Sequence, residues 1–106
     1  MKVTNMTSSR GNKVANQFIV HGAAISDPNP QPNLPQLTLI GTMFQSYSSN
    51  IAFIIAEGLQ DKTYIDERYW DYSVTTGKYR NQFLGETKKE TQAKIDSGKY
   101  ILTNLN

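Results

Sequence analysis

The side chains that could do chemistry fall into three groups. The first is the lone histidine, His21, at the end of the run Gln17-Phe18-Ile19-Val20-His21. Serines and aspartates are available to partner it, but no Gly-x-Ser-x-Gly elbow surrounds any serine, so a Ser-His-Asp relay has no support in the spacing. The second is the acidic set Asp61, Asp66, Glu67 and Asp71, which lacks the loop spacing of a calcium site and reads as the solvated outside of a turn. The third is the basic and aromatic set Lys78, Tyr79, Arg80, Lys88 and Lys89. Thr75-Thr76-Gly77-Lys78 ends like a phosphate loop and fails the pattern, because the glycine required five positions before Gly77 is Tyr72. With no cysteine in the chain, thiolate metal sites and disulfides are excluded. The expectation is a non-enzymatic protein with no catalytic residue, no cofactor and no metal.

Charge gives the binding groups a context. The net charge is only +2, but it is divided unevenly. Residues 1–26 carry Lys2, Arg10 and Lys13 without an acid. Residues 27–72 set Lys62 and Arg68 against six acids, and residues 73–106 set six cations against Glu86, Glu90 and Asp96. Basic ends around an acidic middle make a bipolar surface if the ends meet in space; otherwise they are ordinary solvated faces. Lysine and arginine beside tyrosine can neutralise phosphates and stack on unpaired bases. The same residue types serve equally as anchors for a protein partner.

The elements that must position these groups follow from periodicity and turn chemistry. At 106 residues the chain holds one core. The polar segment 1–15 reads as a loosely docked N-terminal arm, and 16–106 as a single α+β domain. Gln17–His21 is β-branched and weakly alternating, a strand. All four prolines fall in DPNPQPNLPQ, which predicts an extended loop over 27–36, since proline removes a backbone donor. A second strand covers 37–47 with a bulge expected at Gly41. A third covers 51–55, with Ile51, Phe53 and Ile55 on one face, and a short fourth surrounds Thr63-Tyr64-Ile65. Glu57–Lys62 turns the chain between these last two.

Two short helices follow. One is expected over 77–84, capped by Thr76 and stopped by Gly85. The other opens with the capping box Thr87-Lys88-Lys89-Glu90 and closes at Ser97-Gly98, with Glu90 and Lys94 paired one turn apart. Tyr100-Ile101-Leu102 is a last strand. The fold class is therefore α+β, a small antiparallel sheet of three to five strands with two short helices near the C-terminus. Tyr69, Trp70, Tyr72, Tyr79, Phe83 and Leu84 of YWDYSVTTGKYRNQFLGE fall where sheet meets helix and read as a core corner. No apolar run approaches the roughly 20 residues needed to span a bilayer, and the N-terminus does not resemble a signal peptide, so a cytoplasmic protein off the membrane is expected.

Several stretches carry a resemblance. Phe44-Gln45-Ser46-Tyr47 through Phe53, then Tyr69-Trp70-Asp71-Tyr72-Ser73 with Thr75-Thr76-Gly77-Lys78-Tyr79-Arg80-Asn81-Gln82-Phe83-Leu84-Gly85, and the ending Ser97-Gly98-Lys99-Tyr100, resemble a family of short proteins encoded by bacteriophages and prophages. The likeness covers residues 14–106 and carries no activity with it. It implies a phage accessory protein that acts by binding in the host bacterial cell. The leading expectation is inhibition of a host protein or nucleoprotein complex, such as a CRISPR effector, with Asp61, Asp66, Glu67 and Asp71 imitating phosphates. The alternative is direct DNA or RNA binding through Lys78, Tyr79, Arg80, Lys88 and Lys89. A third reading is a self-assembling subunit that pairs an edge strand across a two-fold axis as a homodimer.

Overall fold

Strand-forming residues and tight turns dominate the first two thirds of the chain, and they lay it out as a meander. The computed structural model describes residues 1–55 and 62–106. Strands β1 (Lys2–Thr7), β2 (Lys13–Ser26), β3 (Thr38–Ser46), β4 (Ser49–Ile55) and β5 (Thr63–Asp66) pair antiparallel, each with the next. Helices α1 (Val74–Leu84) and α2 (Lys88–Asp96) then carry the chain to β6 (Tyr100–Thr103), which pairs parallel to β5. The result is one six-stranded mixed sheet in sequential order with two helices, an α+β fold with more strands than the sequence suggested. A parallel neighbour needs a crossover, and the two helices are that crossover.

The extra strand comes from the segment expected to be an arm. Residues 2–7 form the edge strand, with Val3 opposite Val20 and Asn5 opposite Phe18. Polar side chains do not prevent this, because a strand is held by its backbone and needs only a few inward anchors. Met6 supplies one, at 3 % exposure, and Asn5 Nδ2 donates to the Val14 carbonyl at 3.1 Å.

Two irregularities decide which side chains face the helices. The bulge expected at Gly41 lies on the neighbouring strand instead: the register slips between His21 and Ala23, around Gly22, whose φ is +72°. Gly41 has a different task. A Cβ there would stand 2.1 Å from the Ile54 carbonyl oxygen and 2.8 Å from the Phe53 ring, so only glycine lets β3 lie against β4. The second slip falls where Phe44 pairs Ala52 but Gln45 pairs Asn50. The unpaired Ile51 turns to the helix side with Ala52, while Phe53 points to the other face, which separates Ile51 from Phe53.

The sheet has a cluster on each face. On the helix side Met6, Phe44, Ile51, Ala52, Ile65 and Tyr79 are buried, with Tyr69, Trp70 and Phe83 packed around them. The corner read from the sequence is thus part of the core except for Tyr72, which is exposed, and Phe44 stacks on Phe83 at 5.7 Å between ring centres. The opposite face buries Val20, Met43, Phe53, Tyr64 and Leu105. The proline-rich segment is the β2–β3 loop, as its composition requires, bracketed by the Asp27 amide donating to the Leu37 carbonyl at 2.9 Å. Among the described residues no helix is long and apolar enough to cross a membrane.

Candidate functional site

The ends of the two helices are fixed locally, and this places the functional side chains. Ser73, not Thr76, caps α1: its side chain accepts from the Thr76 amide at 3.1 Å, so the helix begins three residues earlier than expected. Thr76 is buried one turn in, where its hydroxyl lies 2.8 Å from Ser46 Oγ on β3. Gly85 ends α1 in the left-handed conformation, at φ +69°. The capping box of α2 is present in both directions, with Glu90 Oε1 accepting from the Thr87 amide. Glu90 is therefore committed to the cap, and Lys94 reaches Glu86 at 2.6 Å rather than Glu90.

Glu86 ties the helix junction to the last strand. Its carboxylate accepts from Thr91 Oγ1 at 2.6 Å, Lys94 Nζ at 2.6 Å and Tyr100 Oη at 2.8 Å. Burial acts to raise the Glu86 pKa, but these hydrogen bonds and the lysine charge outweigh it and hold the carboxyl below its ordinary value. The hydrogen bond to Glu86 raises Lys94, and burial first, then the bond to Glu86, raises Tyr100.

The second anchored carboxylate faces outward. Asp71 accepts from Arg80 Nη1 through Oδ1 at 3.1 Å and from Lys88 Nζ through Oδ2 at 2.6 Å. Burial again acts to raise its pKa, and the two cations overcome it, so the carboxyl lies below its ordinary value. Arg80 is almost wholly buried, at 1 % exposure. It also donates to the Trp70 carbonyl at 2.6 Å and to Asn81 Oδ1 at 2.9 Å, with its guanidinium 5.0 Å from the Trp70 ring centre. Between the start of α1 and the start of α2 lies an open cleft of about 620 Å³ whose wall includes Tyr72, Lys78, Arg80, Asn81 and Lys88 above Asp71. Lys88 continues onto the outer face of α2 beside Lys89.

The structure sorts the residues singled out from sequence. Asp66 leaves the surface set. It is buried at 1 % exposure, accepting from the amides of Arg68, Tyr69 and Leu105 and from Asn106 Nδ2, so it locks the turn after β5 to the last residues. A carboxylate satisfied by four donors inside the fold is not available to imitate a phosphate. Tyr79 and Arg80 likewise lie beneath the surface, Tyr79 at 6 % exposure, so neither is a free stacking or phosphate-binding group. Glu67, Lys78, Lys88 and Lys89 are exposed, and Lys78 lies 5.5 Å from the Tyr79 ring centre. Asp61 lies outside the described residues. His21 is exposed, with Nε2 3.3 Å from Thr4 Oγ1, and among the described residues no carboxylate bonds it.

Sequence reasoning missed the Glu86 junction, the Ser46–Thr76 contact and the role of Asn81. Of these only Glu86 had a usable signal, since Lys94 lies eight residues on and Thr91 five, both on the near side of α2. Gln17 is also fully buried, and its amide finds no partner among the described residues.

The chain belongs to a family of unknown function, DUF8033, whose family model matches residues 1–99. No curated protein and no solved structure matches it.

Proposed function

We propose that this protein is a non-enzymatic binding protein that engages nucleic acid through its helical layer. The observation that supports this is the placement of Lys78 and Lys88 in one cleft at the helix junction, with Tyr72 exposed at its rim and Lys89 beside Lys88 on the adjoining face of α2. Surface lysines next to an accessible ring suit a flexible, phosphate-bearing strand. The resemblance to phage-encoded proteins supports a setting in the infected cell, where a host nucleic-acid-handling complex presents such strands. The opposite polarity, imitation of phosphates by the acids, draws less support. Of its members among the described residues, Asp66 is buried and Asp71 is held by two cations, which leaves Glu67.

The test is fluorescence anisotropy with a labelled single-stranded oligonucleotide across a salt series. Affinity that falls steeply with salt, and is abolished by the pair Lys78→Glu and Lys89→Glu, is the expected result. Binding that ignores salt and survives the double reversal overturns the reading.

A further inference from the structure

The polar groups of the cleft at the helix junction are mostly hydrogen-bond donors, set beside the Tyr72 ring and the exposed Val74 side chain. Its one carboxylate, Asp71, already spends one oxygen on Arg80 and the other on Lys88. Asn81 turns Oδ1 to Arg80 Nη2 at 2.9 Å. An arginine has no acceptor, so this contact fixes the amide orientation and leaves Nδ2, which takes no partner among the described residues. Lys78 and Lys88 contribute ammonium groups, and Lys88 keeps two of its three donors after serving Asp71. Arg80 stands behind the wall, its Nε–H buried and unpartnered among the described residues, and adds positive charge rather than a free donor; at Gly77 an added Cβ would lie 3.6 Å from Nη2. Three cations surround one carboxylate. The complement of such a wall is a small anion rich in acceptors.

We propose that this cleft seats the phosphate group of a nucleotide, with Lys78, Lys88 and Asn81 Nδ2 donating to its oxygens and the Tyr72 ring placed to meet the base. Arg80 and Asp71 are positioning residues: Arg80 turns Asn81, and Asp71 holds Lys88 at the rim. The inference deepens the nucleic-acid reading by naming the group that is recognised, and it accommodates two sources of that group. One is a terminal phosphate on a strand, the other a free mononucleotide.

The chain carries its own reporter, since its single tryptophan, Trp70, contacts Arg80. Tryptophan emission would be titrated with a nucleoside 5′-monophosphate, the matching nucleoside, and one oligonucleotide with and without a 5′-phosphate. The phosphate-bearing probes are expected to bind at least about tenfold more tightly than their unphosphorylated partners, the scale of one charge-assisted contact set. Asn81→Asp keeps an acceptor for Arg80 and replaces the Nδ2 donor by a carboxylate oxygen, so it should keep its thermal unfolding midpoint and lose that preference. Lys78→Ala, at an exposed position, should weaken the same probes. Strand binding that is indifferent to the 5′-phosphate and to Asn81→Asp overturns the cleft while the nucleic-acid reading stands. Monophosphate binding without strand binding keeps the cleft and removes the nucleic-acid reading. Binding of neither probe removes both.

Discussion

Thr76 Oγ1 and Ser46 Oγ lie 2.8 Å apart, fully buried, thirty residues distant in sequence, and they pin the first turn of α1 to the middle of the sheet. Thr76 accepts from Ser73 Oγ at 3.0 Å, which leaves its own proton for Ser46. Replacing Thr76 by Val keeps the volume and strands the Ser46 hydroxyl, a loss of about 1–3 kcal/mol. At about 4–8 °C of midpoint per kcal/mol for a domain of this size, calorimetry will resolve it. Thr75→Val on the exposed side should stay within about 0.5 kcal/mol; equal losses would refute the pinning role.

Asp66 makes a sharper claim, because it was expected at the surface. Asp66→Ala removes the acceptor of four donors and should cost on the order of 3 kcal/mol in urea unfolding. Glu67→Ala, one residue on and exposed, should cost less than about 0.5 kcal/mol. A mild Asp66 variant would mean that the last residues do not depend on this lock.

Gly41→Ala tests the approach of β3 to β4. The added carbon would meet backbone, the Ile54 carbonyl oxygen at 2.1 Å, and backbone cannot swing aside as a side chain can. We expect a loss above about 4 kcal/mol, in the range reserved for overpacking and strain, or failure to accumulate as a folded protein. Gly11→Ala, with open space around its Cβ position, carries only the cost of its positive φ and should fold. A stable Gly41→Ala protein would show that the two strands can part.

Acid and alkali should both destabilise the fold, through different members of its ionic contacts. The folded pKa values of Glu86 and Asp71 are lowered from unfolded values near 4. Their contribution is therefore full above about pH 4 and is lost as pH falls through the lowered values. Tyr100 and Lys94 are raised, so theirs is full below about pH 10 and is lost as pH rises through the raised values. Glu86→Gln should shrink the alkaline limb and remove its own share of the acid limb, leaving the share of Asp71, which Arg80 and Lys88 hold; a profile that keeps its shape would mean the junction is not a titrating unit.

Local chemistry in the sequence announced much of this fold. Ser, Thr and Gly at helix ends are read from residue type alone, so Thr87, Gly85 and Gly98 were legible, and the proline-rich loop follows from missing backbone donors. The places that were not legible share one cause, a choice settled by a neighbour distant in sequence. Residues 2–7 are polar and become a strand because β2 offers a free edge. Ser73 takes the cap because Thr76 is claimed by Ser46. Gly22 rather than Gly41 carries the bulge because Gly41 is pressed against β4. In the cleft the residue types of Lys78 and Lys88 were visible, but the burial of Arg80 and the turning of Asn81 depend on Trp70 and Asp71 arriving together, which no spacing records.

The parallel pairing of β5 with β6 has a consequence for the order in which the molecule assembles. The β1–β2 and β3–β4 hairpins close over short loops and can form early and independently. The β6 strand can join only after both helices have bridged the gap, and the contacts Asp66–Leu105 and Asn50–Asn106 span 39 and 56 residues. Closing so long a stretch costs chain entropy before any contact rewards it, so this step belongs late in folding. The cleft, by contrast, is lined wholly by residues from Asp71 to Lys88 and takes no side chain from β6. The site is therefore built from short-range contacts, while the sheet is finished by long-range ones.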